Sequence, residues 1–152
     1  LVTGVQTCAL PICGEARIFS GTVTKSANLN ISLQKQHPPR LADFPLAASE
    51  YLKLMNAHQT ELPERLALLR HKRVDSLSGG QFQLLSIFAC LASPSQLVLL
   101  DEPTTNLDAT VIDWYRNMIA KYAMHKTIVV CSNSIKDEYS FCDKVIVMED
   151  FK

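Results

Sequence analysis

Two short stretches of this chain hold residue types that can act on a phosphate. The first is Leu77-Ser78-Gly79-Gly80-Gln81. Ser78 and Gln81 have the spacing of a capping box, in which a hydroxyl and an amide satisfy orphan backbone N–H groups at a helix start. Gly79 and Gly80 bring no side chains, so further N–H groups stay open beside the positive end of the helix dipole. That is an anion site suited to a terminal phosphate. A Gly-Gly helix start with no ligand is the plainer alternative. The second stretch is Leu97-Val98-Leu99-Leu100-Asp101-Glu102-Pro103, an apolar run that ends in two adjacent carboxylates. If the run is a buried strand, the acids arrive at its C-terminal edge, where ligands of open α/β sheets bind. Asp101 could hold Mg²⁺ as a hard oxygen ligand, directly or through water. Glu102, turned the other way by strand alternation, could polarise an attacking water. Paired acids at a strand end can equally form a polar boundary or a helix cap.

The elements that must position these residues are written in the surrounding pattern. Ser78 opens a helix that runs to about Ala92, and Pro94 ends it. Gln96–Leu100, apolar from Leu97 onward, bears the mark of a strand buried on both faces. A second helix starts after Asp108, a natural N-cap, with Val111, Ile112, Tyr115, Met118, Ile119 and Tyr122 at helical spacing. A strand at Thr127–Cys131, a short helical segment near Ser134–Phe141 and a strand at Lys144–Met148 follow. Upstream, Ser20-Gly21-Thr22-Val23-Thr24 reads as a turn feeding a β-branched segment, and His37-Pro38-Pro39 breaks any helix. Ser49–Met55 and Glu61–His71 are short helical patterns; Leu62, Leu66 and Leu69 share a face of the second. Arg70, Lys72 and Arg73 form a basic cluster that reads as a solvated helix end. Strands alternating with helices predict an α/β fold with a mainly parallel sheet.

Composition narrows the function classes. Fifteen Lys and Arg balance fifteen Asp and Glu among 152 residues, which removes the electrostatic case for a nucleic-acid or anionic-membrane surface. Ser76–Leu100 is uncharged, but Ser86, Ser93, Pro94, Ser95 and Gln96 divide it short of the ~20 continuous apolar residues a membrane span needs. Cys8, Cys13, Cys90, Cys131 and Cys142 contain no C-x-x-C pair and read as free thiols. His37, His58, His71 and His125 are scattered, with no Cys at ligand spacing. The five glycines are Gly4, Gly14, Gly21, Gly79 and Gly80, and none precedes a Lys, so the P-loop pattern G-x-x-x-x-G-K-[ST] is absent. The first thirteen residues, LVTGVQTCALPIC, lack the basic start of a signal peptide. They resemble translated adapter sequence and read as a non-native leader, with an N-terminal strand as the alternative.

Taken together and in order, LSGGQ at 77–81 and LVLLDEPTTNLDA at 97–109 resemble the ATPase domain of the ATP-binding cassette (ABC) family. In that family LSGGQ is the signature motif and LLDE is the Walker B strand with its catalytic glutamate. Asn106-Leu107-Asp108 matches the D-loop. Ser20-Gly21-Thr22-Val23 resembles the early β segment, and Ile31–Gln36 the stretch ending in the Q-loop glutamine. Gln36 takes that place, with Gln34 as the alternative. The likeness runs from about Gly14 to Phe151. It implies a P-loop NTPase-like fold with a small helical subdomain at 44–92 and a Walker B, D-loop and C-terminal α/β part at 93–152. It also implies a composite site in which two cassettes pair head to tail around ATP and Mg²⁺. Gln36, Ser78, Gly79, Gly80, Gln81 and Asp108 would then be nucleotide-binding, Asp101 and Gln36 would attend the metal, and Glu102 and Asn133 would be catalytic. The reaction implied is phosphoryl transfer to water. The role implied is the ATP-binding subunit of a transporter, cytoplasmic and peripheral on the inner face of the cell membrane. Its partners would be membrane-spanning subunits and a second ATPase subunit, with no nucleic acid.

Four departures from the family pattern qualify that expectation. The P-loop should lie upstream of Gly14; its absence suggests N-terminal truncation and predicts no useful ATP binding by these residues alone. The switch histidine is replaced by Asn133, which can donate a hydrogen bond but cannot carry charge. The signature helix reads Gln81-Phe82-Gln83-Leu84-Leu85, without the family's arginines. Finally, Ser49–Asp75 is short for a subdomain that docks onto membrane subunits. Two rival roles stand beside the transporter: a soluble ABC protein acting on ribosomes or DNA, and a non-hydrolysing regulatory cassette. Asn133 suggests the last, and the intact Asp101 and Glu102 oppose it.

Overall fold

Ten consecutive buried residues, Phe82 to Leu91, set the plan of the molecule. A helix that is apolar on every side must be enclosed by protein, and the other elements enclose this one. The computed structural model describes residues 9–18, 20–36, 45–105, 107–132 and 141–146. Along the chain these residues form helix α1 (Ala9–Cys13), strand β1 (Ile31–Gln34), helices α2 (Ala48–Leu54) and α3 (Glu64–Ala67), the long helix α4 (Gly79–Ala92), strand β2 (Leu97–Asp101), helix α5 (Ala109–Ala123) and strand β3 (Thr127–Cys131).

The strands make a parallel sheet in the order β1-β2-β3. Ile31 lies opposite Leu97 and Gln34 opposite Leu100. On the other side, Leu97 faces Thr127 and Asp101 faces Cys131. Parallel neighbours need long crossovers; α2 to α4 lie in the first and α5 in the second. This is the predicted α/β arrangement. Val98, Leu99 and Leu100 are fully buried, as a continuous apolar strand requires. Val98 and Leu100 join one core with Leu66, Leu85, Phe88 and Tyr115. Two polar pairs meet there: the Tyr51 hydroxyl donates to Ser86 Oγ at 3.4 Å, and the Ser32 and Ser93 hydroxyls lie 2.8 Å apart. Among the described residues no helix is long and apolar enough to cross a membrane.

Several boundaries differ from expectation. Residues 22–26 form no strand; Gly21 makes its turn at φ +84°, but the β-branched segment beyond is exposed and has no described strand to pair with. The pattern over Glu61–His71 yields only the single turn Glu64–Ala67, because Pro63 stands at its N-cap and turns follow at once. Its apolar face survives nevertheless, with Leu66 and Leu69 buried. Residues 144–146 are not a strand, and Val145 and Ile146 are exposed; Val147 and Met148 lie outside the described residues. Of the segment near Ser134–Phe141, only Phe141 is described, in a turn. Ala9–Cys13 is a short helix against β1 and β2 with Ala9 buried.

Candidate nucleotide site

Ser78 caps α4 as its spacing predicted. Extended backbone at φ −61°, ψ 161° brings its hydroxyl to the helix mouth. The Gln81 N–H donates to Ser78 Oγ at 3.2 Å, and the Ser78 N–H donates back to Gln81 Oε1 at 3.1 Å. The Phe82 N–H reaches the Ser78 carbonyl at 3.0 Å. The amides of Gly79 and Gly80 have no intrahelical acceptor at these positions. Gly80 lines a cleft of about 350 Å³ together with Ser78, Gln81, Leu107, Asp108 and the cations Arg65 and Lys72, among others. Four of the predicted nucleotide-binding residues therefore share one concavity. Arg65 was not foreseen; only the packing of α3 beside α4 brings it there. Lys72 belonged to a cluster read as solvent-facing, and it is indeed exposed.

Asp108 stands at the N-cap of α5, but its side chain makes no capping hydrogen bond. Its carbonyl accepts from the Val111 N–H at 2.8 Å, and the residue is among those that line the cleft. The predicted position is right and the predicted bond is absent.

At the C-terminal edge of the sheet, Asp101 is the last residue of β2 and is only 4% exposed. Glu102 follows at φ +45°, in the left-handed region. That conformation costs an L-residue roughly 1–2 kcal/mol, and neighbouring bonds hold it. The Glu102 N–H donates to the Cys131 carbonyl at 2.8 Å, carrying the β2–β3 pairing one residue further, and the Thr105 N–H closes a turn on the Glu102 carbonyl at 3.3 Å. Its Oε2 accepts from Thr105 Oγ1 at 3.4 Å and Ser132 Oγ at 3.5 Å. Both contacts are long for hydroxyl donors.

Gln36 lies two residues past β1, half-buried and on the same edge. Gln34 is 1% exposed. Its Nε2 donates to the Lys35 carbonyl, and its Oε1 is buried with no hydrogen-bond partner among the described residues. Asn133 and Asn106 lie outside the described residues; Ser132, the neighbour of the first, is the one beside Glu102. No group of three or more His, Cys, Asp or Glu positioned for a metal occurs among the described residues. The signature residues thus stand at the start of α4 and the two acids at the end of β2.

The family model described as "ABC transporter" matches residues 9–105. The chain belongs to the ABC transporter family. The Nod factor export ATP-binding protein I of Rhizobium leguminosarum bv. viciae is 34% identical over 142 residues, covering 88% of this chain and 43% of that protein. The high-affinity zinc uptake system ATP-binding protein ZnuC of Bacillus subtilis is 34% identical over 85 residues, covering 53% of this chain and 36% of that protein. Among solved structures, an archaeal ribosome recycling factor, aABCE1, superposes with a TM-score of 0.68 at 25% identity, over 80% of this chain and 25% of that one. An inward-facing metal-chelate type ABC transporter superposes with a TM-score of 0.62 at 22% identity, over 82% of this chain and 56% of that one, which speaks to the fold. The chain spans less than half the length of each of these curated ABC relatives.

Proposed function

We propose that this ABC chain supplies two parts of an ATP-hydrolysing site and that the assembled ATPase drives transport. The observation that carries the reading is the pairing, on one chain, of a capped Gly-Gly helix start with a strained glutamate at a parallel-sheet edge. Ser78, Gly79, Gly80 and Gln81 offer amides and a hydroxyl to the γ-phosphate of ATP held by a second ATPase subunit, and Asp108 borders the same cleft. At the sheet edge, Asp101 and Gln36 offer hard oxygens, which suit a Mg²⁺ ion that keeps most of its other ligands from water and phosphate. When bound, that ion neutralises charge on the phosphates. Glu102 orients the attacking water and accepts its proton, and Asn133 would donate a hydrogen bond near the same phosphate. These 152 residues contain no P-loop, so another segment or subunit provides the amide cradle and its Lys.

The helical part at 44–92 would be the docking face for membrane-spanning subunits, which places the assembly on the inner side of the cell membrane. Relatives named for Nod factor export and zinc uptake support transport. A second reading, action on ribosomes, is favoured by the likeness to the archaeal ribosome recycling factor. Co-sedimentation of the assembled protein separates the two: recovery with membrane subunits supports transport, and recovery with ribosomes supports the alternative. The site itself is tested by Gly79→Asp, which sets a carboxylate against the phosphate. Hydrolysis by the assembled ATPase should fall about 10²-fold, and an unchanged rate would contradict the assignment.

A further inference from the structure

We propose that Gln83 is a positioning residue that ties the phosphate-facing start of α4 to the turn holding Glu102. The inference rests on the two-part site proposed above. Gln83 lies one turn into α4, on the same helix as Gly79, and is 2% exposed. A buried amide is expected to have a partner, and its Nε2 donates to the carbonyl oxygen of Pro103 at 3.3 Å. Pro103 directly follows Glu102, whose left-handed backbone persists only where its surroundings over-determine it. The bonds from the Glu102 N–H to Cys131 and from the Thr105 N–H to Glu102 fix that turn against β3 and against itself. The Gln83 bond fixes it against α4.

Over a single helical turn α4 moves as a unit, so a shift at Ser78 and Gly79 reaches Gln83 and, through Pro103, the backbone of Glu102. A catalytic group displaced by ~1 Å can lose about 10²-fold in rate. Closure on the phosphate held by a second subunit thereby sets the position of the glutamate that serves this chain's own nucleotide. The buried hydrogen bond makes the two half-sites of one chain respond to each other.

The test is steady-state hydrolysis by the assembled ATPase carrying Gln83→Met, which fills similar space without a donor, with Gln83→Leu as a second variant if the first does not fold. The expected result is a kcat lowered about tenfold with KM for ATP within about twofold. In a Glu102→Gln background the same change should add no further loss, because the group being positioned is gone. An unchanged kcat, a rise in KM alone, or losses that multiply in the double variant would overturn the role. The readings fail separately. A wild-type rate for Glu102→Gln removes the site assignment, whereas a loss with Glu102→Gln and none with Gln83→Met removes only the coupling.

Discussion

Glu102 is where local chemistry and backbone conflict most openly. Its left-handed φ of +45° would suit glycine, yet the position carries a carboxylate. Strain kept at such a place is expected of a functional residue. Two variants isolate it: Glu102→Gly and Glu102→Ala both delete the side chain, but only glycine relaxes the backbone. Thermal unfolding should find the glycine variant more stable by about 1 kcal/mol; equal stability would mean the conformation costs nothing. Ser78 makes the opposite case, a residue whose role follows from type and spacing alone. Ser78→Ala removes one side of the capping box and should cost about 1 kcal/mol in denaturant unfolding. Both residues were legible in the sequence because their neighbours along the chain define them. The strain at Glu102 was not, since it arises from pairing with Cys131, 29 positions away. Asp108 stands at the N-cap of α5 as expected but makes no capping bond, and it borders a cleft built by distant elements.

Among the elements, α4 and β2 were the most legible. Twenty-five residues without a charge, broken by Ser93-Pro94-Ser95, leave little room for anything but a buried helix and a buried strand. Phe88, 1% exposed in the centre of α4, anchors that packing. Phe88→Ala should cost about 3–5 kcal/mol, and urea unfolding would measure it. The same burial pushes the Cys90 thiol up to about 12. Only the thiolate is nucleophilic, so iodoacetamide at mildly alkaline pH should spare Cys90 in the folded protein and label it in urea. Labelling of the native protein would mean α4 opens readily. Elements without such long-range burial were poorly legible. Thr22-Val23-Thr24 has the residue types of a strand, but no described strand lies beside it, and β propensity expresses itself only against a neighbour.

At the scale of the whole molecule, the parallel order β1-β2-β3 brings Gln36, Asp101, Glu102 and Ser132 to one edge, while Ser78 stands at the start of α4. The composite site suggested by the motifs would use both places. On the proposed reading, one chain faces two nucleotides, its own at the sheet edge and a second subunit's at the start of α4. Two consequences follow at this scale. Residues 1–152 alone should show no micromolar binding of a fluorescent ATP analogue, because they lack a P-loop; tight binding would show that the cradle is formed by other means. The central claim concerns Glu102, and the hydrolysis rate of the assembled ATPase carrying Glu102→Gln tests it most directly. The amide keeps the size and hydrogen-bonding reach of the side chain but cannot accept the proton of water. The rate should fall by at least about 10²-fold with ATP binding retained, and hydrolysis at the wild-type rate would contradict the account.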